Sequence, residues 1–229
     1  MNGHYTEART YDKQTYADVI LNIDKALGKD WTIVANIGAS YNNIGTDELR
    51  YGGPIQDNGL ANVFNVFDLD DTKKRASKSG WNDETQSVFG SVELGWKKML
   101  YITATGRNDW ASQLAGSSER SFFYPSVGIS WVPTSIWDFG AVNYFKLRAS
   151  VASVGMPFPR FLTMPTYEYD ATNKIWKDKT HYPIGDLKPE RTLTYEVGVE
   201  TRFWQDLSLN LSWYLADTYN QTFDPSLPP

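Results

Sequence analysis

The sequence predicts an all-β protein, an antiparallel meander of about eight long strands forming part of a large transmembrane β-barrel. Three observations carry this. Apolar and polar residues alternate with period two over most of the chain, while helical periodicity is scarce. The connections run short, long, short, long, as they do in barrels that cross a membrane. Trp31, Trp96, Trp131, Trp204 and Trp213 fall near strand ends, where an amphipathic ring suits a lipid–water boundary.

The strands follow in order. Over 16–25, Val19, Leu21 and Ile23 alternate with neighbours that include Asp18, Asn22 and Asp24. After Gly28-Lys29-Asp30, residues Trp31, Ile33, Ala35, Ile37, Ala39 and Tyr41 share one face of a strand over 31–42. Val88, Val92, Leu94 and Trp96 oppose Thr85, Ser87, Ser91 and Glu93, giving 82–95. Leu100, Ile102 and Ala104 oppose Tyr101, Thr103, Thr105 and Arg107, giving 99–108. Val127, Ile129 and Trp131 define 122–132, and Phe145, Leu147, Ala149 and Val151 define 143–154. Tyr195, Val197, Val199 and Phe203 mark 190–204. The cleanest case is 207–219, where Leu207, Leu209, Leu211, Trp213 and Leu215 alternate with Ser208, Asn210, Ser212 and Tyr214. Gln205-Asp206 joins these last two strands as a tight hairpin.

Short connections lie near 26–30, 96–98, 133–142 and 205–206, and long ones near 43–81, 109–121, 155–189 and beyond about 220. Compact soluble domains rarely contain such long structureless loops. The strand lengths suit a bilayer, which takes about 9–11 tilted residues to cross.

Composition narrows the function. The chain has 229 residues, 41% of them hydrophobic and 15% aromatic, with a mean hydropathy of −0.46. The formal charge of −5, from 27 acids and 22 bases, excludes a strongly basic nucleic-acid binder. Cysteine is absent, which removes disulfides and thiolate metal sites. No apolar run suggests a spanning helix. The opening residues Met1 to Glu7 show neither the basic nor the apolar region of a signal peptide. Asp224-Pro225-Ser226-Leu227-Pro228-Pro229 looks like the start of a loop, and the N-terminus is equally polar. The expectation is an interior piece of a larger barrel, 1–229.

Several stretches resemble one family. Leu187-Lys188-Pro189-Glu190-Arg191-Thr192, followed by Tyr195-Glu196-Val197-Gly198-Val199-Glu200 and Phe203, is similar to a hallmark of SusC/RagA-type TonB-dependent outer-membrane transporters. So is Thr103-Ala104-Thr105-Gly106-Arg107-Asn108-Asp109-Trp110, with Phe123-Tyr124-Pro125-Ser126-Val127-Gly128 after it. Lys146-Leu147-Arg148-Ala149-Ser150, running to Val154-Gly155, fits the next strand of that family. The resemblance implies a 22-stranded barrel in the outer membrane of a Gram-negative, Bacteroidota-type cell. It further implies a plug through which the TonB complex acts, a SusD-like surface lipoprotein, and import of oligosaccharides or peptides. It implies no enzyme and no cofactor.

Arg107, Lys146, Arg148, Glu196, Glu200 and Arg202 fall on the polar side of their strands. In a barrel they face the lumen, as a plug interface or a hydrated path, or they are ordinary cross-strand pairs. Trp110, Phe158, Tyr167 and Trp176 stand in the long connections with Tyr51, Phe64, Phe67, Phe161 and Tyr169. They contact ligand or partner, or pack the loops together. Other constellations are weaker. His4 and His181 are far apart, and no nucleophile-elbow serine accompanies His181. Asp68, Asp70 and Asp71 lack the spacing of an EF-hand and are followed by Lys73, Lys74 and Arg75. Gly52-Gly53-Pro54 and Asp57-Asn58-Gly59 are turn chemistry. The rival to the barrel is a carbohydrate-binding β-sandwich or small barrel with its apolar faces turned inward, and a third possibility is a gene remnant.

Overall fold

The computed structural model describes residues 3–57, 63–164, 167–170, 173–178, 187–204 and 206–221. Its strands are β1 (His4–Leu27), β2 (Trp31–Pro54), β3 (Arg75–Trp96), β4 (Leu100–Ala111), β5 (Phe122–Trp131), β6 (Val142–Met156), β7 (Tyr167–Asp170), β8 (Ile175–Asp178), β9 (Glu190–Phe203) and β10 (Leu207–Tyr219). Eight of them form one sheet in the order β1-β2-β3-β4-β5-β6-β9-β10, and β7 pairs with β8 apart from it. His181, Gln205, the 58–59 turn and the polar C-terminal residues lie outside the described residues.

The chain divides into two compact units. The first comprises 1–16 and 42–84. Its strand segments are polar on both faces, held by bonds such as Thr46 Oγ1 to Asp12 at 2.6 Å and Gln14 Nε2 to Asn42 at 3.1 Å. Neither face meets an apolar phase, so these segments show no alternation. That is why residues 4–15, which read as loop, are strand, and why β2 and β3 outrun the expected 31–42 and 82–95. The connection between them shrinks to 55–74, with a short 3-10 turn at Val66–Asp68 capped by Asn65.

The second unit comprises 17–41 and 85–229. From β3 to β6 and on through β9 and β10 its strands pair in a continuous register, with one irregularity between Val142 and Tyr144. Residues directly opposite one another share a face, so rows can be followed across six strands. One row is Trp96, Leu100, Trp131, Leu147, Val199 and Leu211. The next is Leu94, Ile102, Ile129, Ala149, Val197 and Trp213, and a third is Val92, Ala104, Val127, Val151, Tyr195 and Leu215. Every member is apolar.

This face is uncovered. Leu211 is 59% exposed and Val127 50%. Among the described residues the buried hydrophobic side chains are few, Leu69, Met99, Ala111, Leu114, Phe122 and Phe158, with the rings of Pro133 and Pro189. No second layer of described residues lies over the rows, so the sandwich reading is corrected: alternation here does not mark a core shared by two sheets. A water-soluble monomer rarely exposes apolar patches beyond roughly 300–600 Å², and these rows run through strand after strand.

Aromatic rings gather where the connections are short. Trp31 and Trp96 lie 6.3 Å apart, Trp131 meets Phe145 edge-on at 6.5 Å, and Phe203 packs on Trp204 at 5.9 Å. Trp213 is the exception to the strand-end reading, because it stands in the middle of β10. The long 155–189 connection is also not structureless, since it contains the β7–β8 hairpin.

The β3–β4 turn is built from two left-handed residues, Lys97 (φ 50°) and Lys98 (φ 56°). The Met99 N–H donates to the Trp96 carbonyl at 2.9 Å. This is a type I′ geometry, which favours Asn-Gly over side chains with a full Cβ. Replacing Lys97-Lys98 by Asn-Gly is expected to stabilise the folded protein by about 1–2 kcal/mol. A raised urea midpoint in phospholipid vesicles checks this, and an unchanged or lowered midpoint refutes it.

Candidate functional site: the polar face of the sheet

The register that assembles the apolar rows also assembles the polar ones. Phe89, Arg107 and Tyr124 stand side by side as a bulky ridge. The next row is Ser91, Thr105, Ser126, Ala152, Thr194 and Ala216, all small. Beyond it come Glu93, Thr103, Gly128, Ser150, Glu196 and Tyr214. A trough lined by hydroxyls therefore crosses the strands between a ridge and a row carrying two carboxylates.

The trough is ordered by its own hydrogen bonds. Asn36 Nδ2 donates to Ser91 Oγ at 2.7 Å, and the Thr105 and Ser126 hydroxyls meet at 2.6 Å. Thr103 Oγ1 donates to Glu93 at 3.1 Å. Where the trough meets the ridge there is a concavity of about 420 Å³, bounded by Phe89, Ser91, Thr105, Arg107, Tyr124 and Ser126. A second, of about 450 Å³, lies among Glu93, Lys98, Tyr101, Tyr144 and Lys146.

At the ridge Arg107 is held from several sides. Its Nε donates to Asp109 Oδ1 at 2.7 Å and its Nη2 to Ser87 Oγ at 2.7 Å. The guanidinium lies over the Phe89 ring at 5.5 Å. The other Asp109 oxygen accepts the Tyr124 hydroxyl. Asp109 is only 7% exposed, and these donors supply its buried oxygens with hydrogen bonds.

Arg148 forms a second cluster across three strands. Its Nε and Nη2 reach Glu196 Oε1 on β9 at 3.2 and 3.0 Å, and Nη2 donates to Ser212 Oγ on β10 at 2.6 Å. Gly198 lies directly opposite Arg148. A Cβ at Gly198 would stand 2.6 Å from Arg148 Nε, so the glycine is what lets the guanidinium lie flat across β9. Lys146 faces Glu200, and Arg202 faces Tyr144. All six charged residues singled out from the sequence thus occupy the polar face. The structure joins Arg148 to Glu196, and gives Arg107 a partner, Asp109, which alternation alone did not single out. The available signal was the Arg107-Asn108-Asp109 spacing, which puts both charges on one side of a strand.

The four aromatic candidates separate. Trp110 is not in a loop: it belongs to β4, opposite Gln86, on the apolar face. Phe158 is buried with Ala111, Leu114 and Phe122, where it packs chain segments together. Tyr167 and Trp176 stand exposed on the β7–β8 hairpin, where Trp176 pairs with Tyr169 at 5.1 Å.

The acidic loop has its own partners. Asp70 accepts from the Thr72 hydroxyl and backbone N–H at 2.6 and 2.9 Å and pairs with Lys73 at 3.1 Å. The bonds from Thr72 hold its carboxyl down to about 2. Asp71 pairs with Lys74. Among the described residues no group of three acidic or histidine side chains converges on a metal position.

One sheet, apolar on one side and wet on the other, with Trp at the short-turn end, describes a membrane barrel wall. Residues 2–229 match the family described as TonB dependent receptor-like, beta-barrel. The chain belongs to that family. TonB-dependent receptor barrels are outer-membrane proteins. This barrel segment is also similar to solved structures. It matches the RagAB peptide transporter with a TM-score of 0.84 and 16% identity, over 97% of this chain and 25% of that one. Against the RagAB peptide importer in its open-open state the TM-score is 0.80 at 16% identity, covering 98% and 25% of the two chains. Against the closed-closed state it is 0.77 at 17% identity, covering 93% and 24%. At such identity the likeness is one of fold, and the barrel segment spans about a quarter of those chains. No curated protein sequence matches it.

The ridge makes a direct prediction. Tyr124→Phe removes one bond to a charged acceptor and is expected to cost about 1.5 kcal/mol, while Asp109→Ala strips Arg107 and Tyr124 together and costs roughly twice that. Urea midpoints of the two variants check the order, and equal midpoints for Asp109→Ala and the parent refute it.

Proposed function

We propose that this chain forms part of the wall of a SusC/RagA-type transporter that imports a polar solute across the outer membrane. The observation that carries this is the sheet's two-sidedness: three apolar rows without a core to enter, backed by rows of hydroxyls and paired charges. In a barrel the apolar face meets lipid and the polar face lines the lumen. Arg107, Lys146, Arg148, Glu196, Glu200 and Arg202 then line a wet interior. They serve as a polar seat for a plug and leave a hydrated margin along which the solute moves.

The solute class is an oligosaccharide or a peptide. The similar structures are those of a peptide transporter and peptide importer, which supports the second. Hydroxyls that both donate and accept suit either. Energy comes through TonB acting on the plug, and a SusD-like lipoprotein covers the long-loop side, where Tyr167 and Trp176 offer exposed rings. The chain has no catalytic role in this reading.

The face assignment has a paired test. Leu211→Arg places a charge toward lipid and is expected to cost about 2–4 kcal/mol in vesicles, whereas Asn210→Arg, one residue away and opposite Glu200, changes stability by less than about 1 kcal/mol. Equal losses refute the assignment. For the transport function, cells expressing the complete transporter should take up fluorescent oligosaccharides or peptides and lose that uptake when TonB is deleted. Uptake that is indifferent to TonB overturns the proposal.

A further inference from the structure

The apolar face is not uniform. Gly90 and Gly106 stand directly opposite one another in the β3–β4 register, on the same side as Val92, Ala104 and Ile102. The missing side chain at Gly90, with the Phe123 ring laid over Gly106 beside it, leaves a shallow groove on this face, of about 650 Å³. Its floor is Gly90, Gly106 and Ala104. Ile37 on β2 walls one side and Phe123 on β5 the other. The Phe123 ring rests on Gly106, since a Cβ there would lie 2.9 Å from it.

The groove is also polarised along its length. From Val92 and Ala104 it rises past the two glycines to Asn108 and Trp110, toward the end of the sheet where the connections are long. The lower end offers only hydrocarbon contacts. The upper end offers a carboxamide and an indole, the only groups of the groove's apolar-face lining that can donate a side-chain hydrogen bond. From Ala104 to Trp110 the strand rises about 20 Å at 3.4 Å per residue. A slot with that length, an apolar foot and a hydrogen-bonding head has the polarity of a single amphiphile lying along the strand.

We propose that this groove is a retained-lipid site, holding one acyl chain of an outer-leaflet membrane lipid with its ester end at Asn108 and Trp110. The proposal rests on the reading that the apolar face meets lipid, because the groove is continuous with that face. Elsewhere on the face, side chains such as Leu211 and Trp213 project from the surface and give a passing chain only one side to touch. In the groove a chain meets the Gly90 floor with Ile37 and the Phe123 ring beside it, more surface than a single projecting side chain offers, which slows its departure.

The experiment compares two tryptophans, each isolated by the difference between the parent protein and its Trp→Phe variant. The protein, with whatever flanking sequence completes its barrel, is folded into vesicles of phosphatidylcholine brominated on its acyl chains, then extracted into excess dodecyl maltoside. Bromine quenches an indole only at contact. In vesicles both Trp110 and Trp213 are expected to be quenched. After extraction Trp213 should recover fully, while Trp110 keeps more than half of its quenching. Ala104→Phe, which fills the floor, should let Trp110 recover as well. If Trp213 is not quenched in vesicles, the lipid-facing reading falls and the site with it. If Trp213 is quenched in vesicles and both recover on extraction, the face stands and the groove proposal alone is overturned. The comparison within the parent decides the matter even where Ala104→Phe fails to fold.

Discussion

The register of one continuous hydrogen-bonded ladder governs this structure. Because side chains alternate, a slip of a single residue between two strands would carry every apolar side chain to the wet face and every charge to the dry one. Six strands keep parity from Trp96 through Leu211 with one irregularity, beside the β5–β6 connection. In hydrocarbon an unpaired N–H or C=O costs several kcal/mol, so the ladder that orders the faces is also what makes the backbone tolerable there. The polar clusters reinforce the same pairing. Arg148 ties β6 to β9 and β10, and Arg107 ties β4 to β3.

How much of this the sequence discloses follows from what surrounds each residue. Where a strand separates lipid from water the alternation is strong, and the 207–219 expectation coincides with β10. Where both faces meet water nothing selects for alternation, so the first dozen residues of β1 look like loop although they are strand beside β2. The β3–β4 turn falls where the sequence places a short connection, near 96–98, but its type is hidden for a different reason. Its left-handed residues are lysines, and the strain they bear is offset by the strands on either side, while Lys97 gains a contact with the Trp96 ring at 5.2 Å.

The candidate site divides in the same way. Charges on the polar face were legible because parity places them, one residue at a time. Partners were not legible, because they depend on which strand lies alongside and at what register. Asp109 and Ser87 hold Arg107, and Tyr124 holds Asp109, so the cluster draws on three strands. The aromatic side chains were least legible. Trp110 and Phe158 look alike in a polar stretch, yet one stands out on the apolar face and the other is enclosed with Leu114 and Phe122. Tyr124 has a role in both settings, since its hydroxyl completes the Arg107 cluster while its ring packs against the enclosed group. A change at that residue reaches the polar-face charges and the connections together.

Alternation has a consequence for how such a chain enters a bilayer. Each strand offers the hydrocarbon only half of its side chains, and the rest, with the backbone, prefers water. A lone strand therefore gains too little from leaving water to stay in the membrane by itself. The balance turns favourable only when neighbours cover the backbone groups and the polar halves share an aqueous interior. Insertion and sheet formation are then a single cooperative event, and an isolated segment such as Leu207–Tyr219 has no stable resting place at any depth on its own. The low mean hydropathy of −0.46 keeps the unpaired chain in water until its partners are at hand.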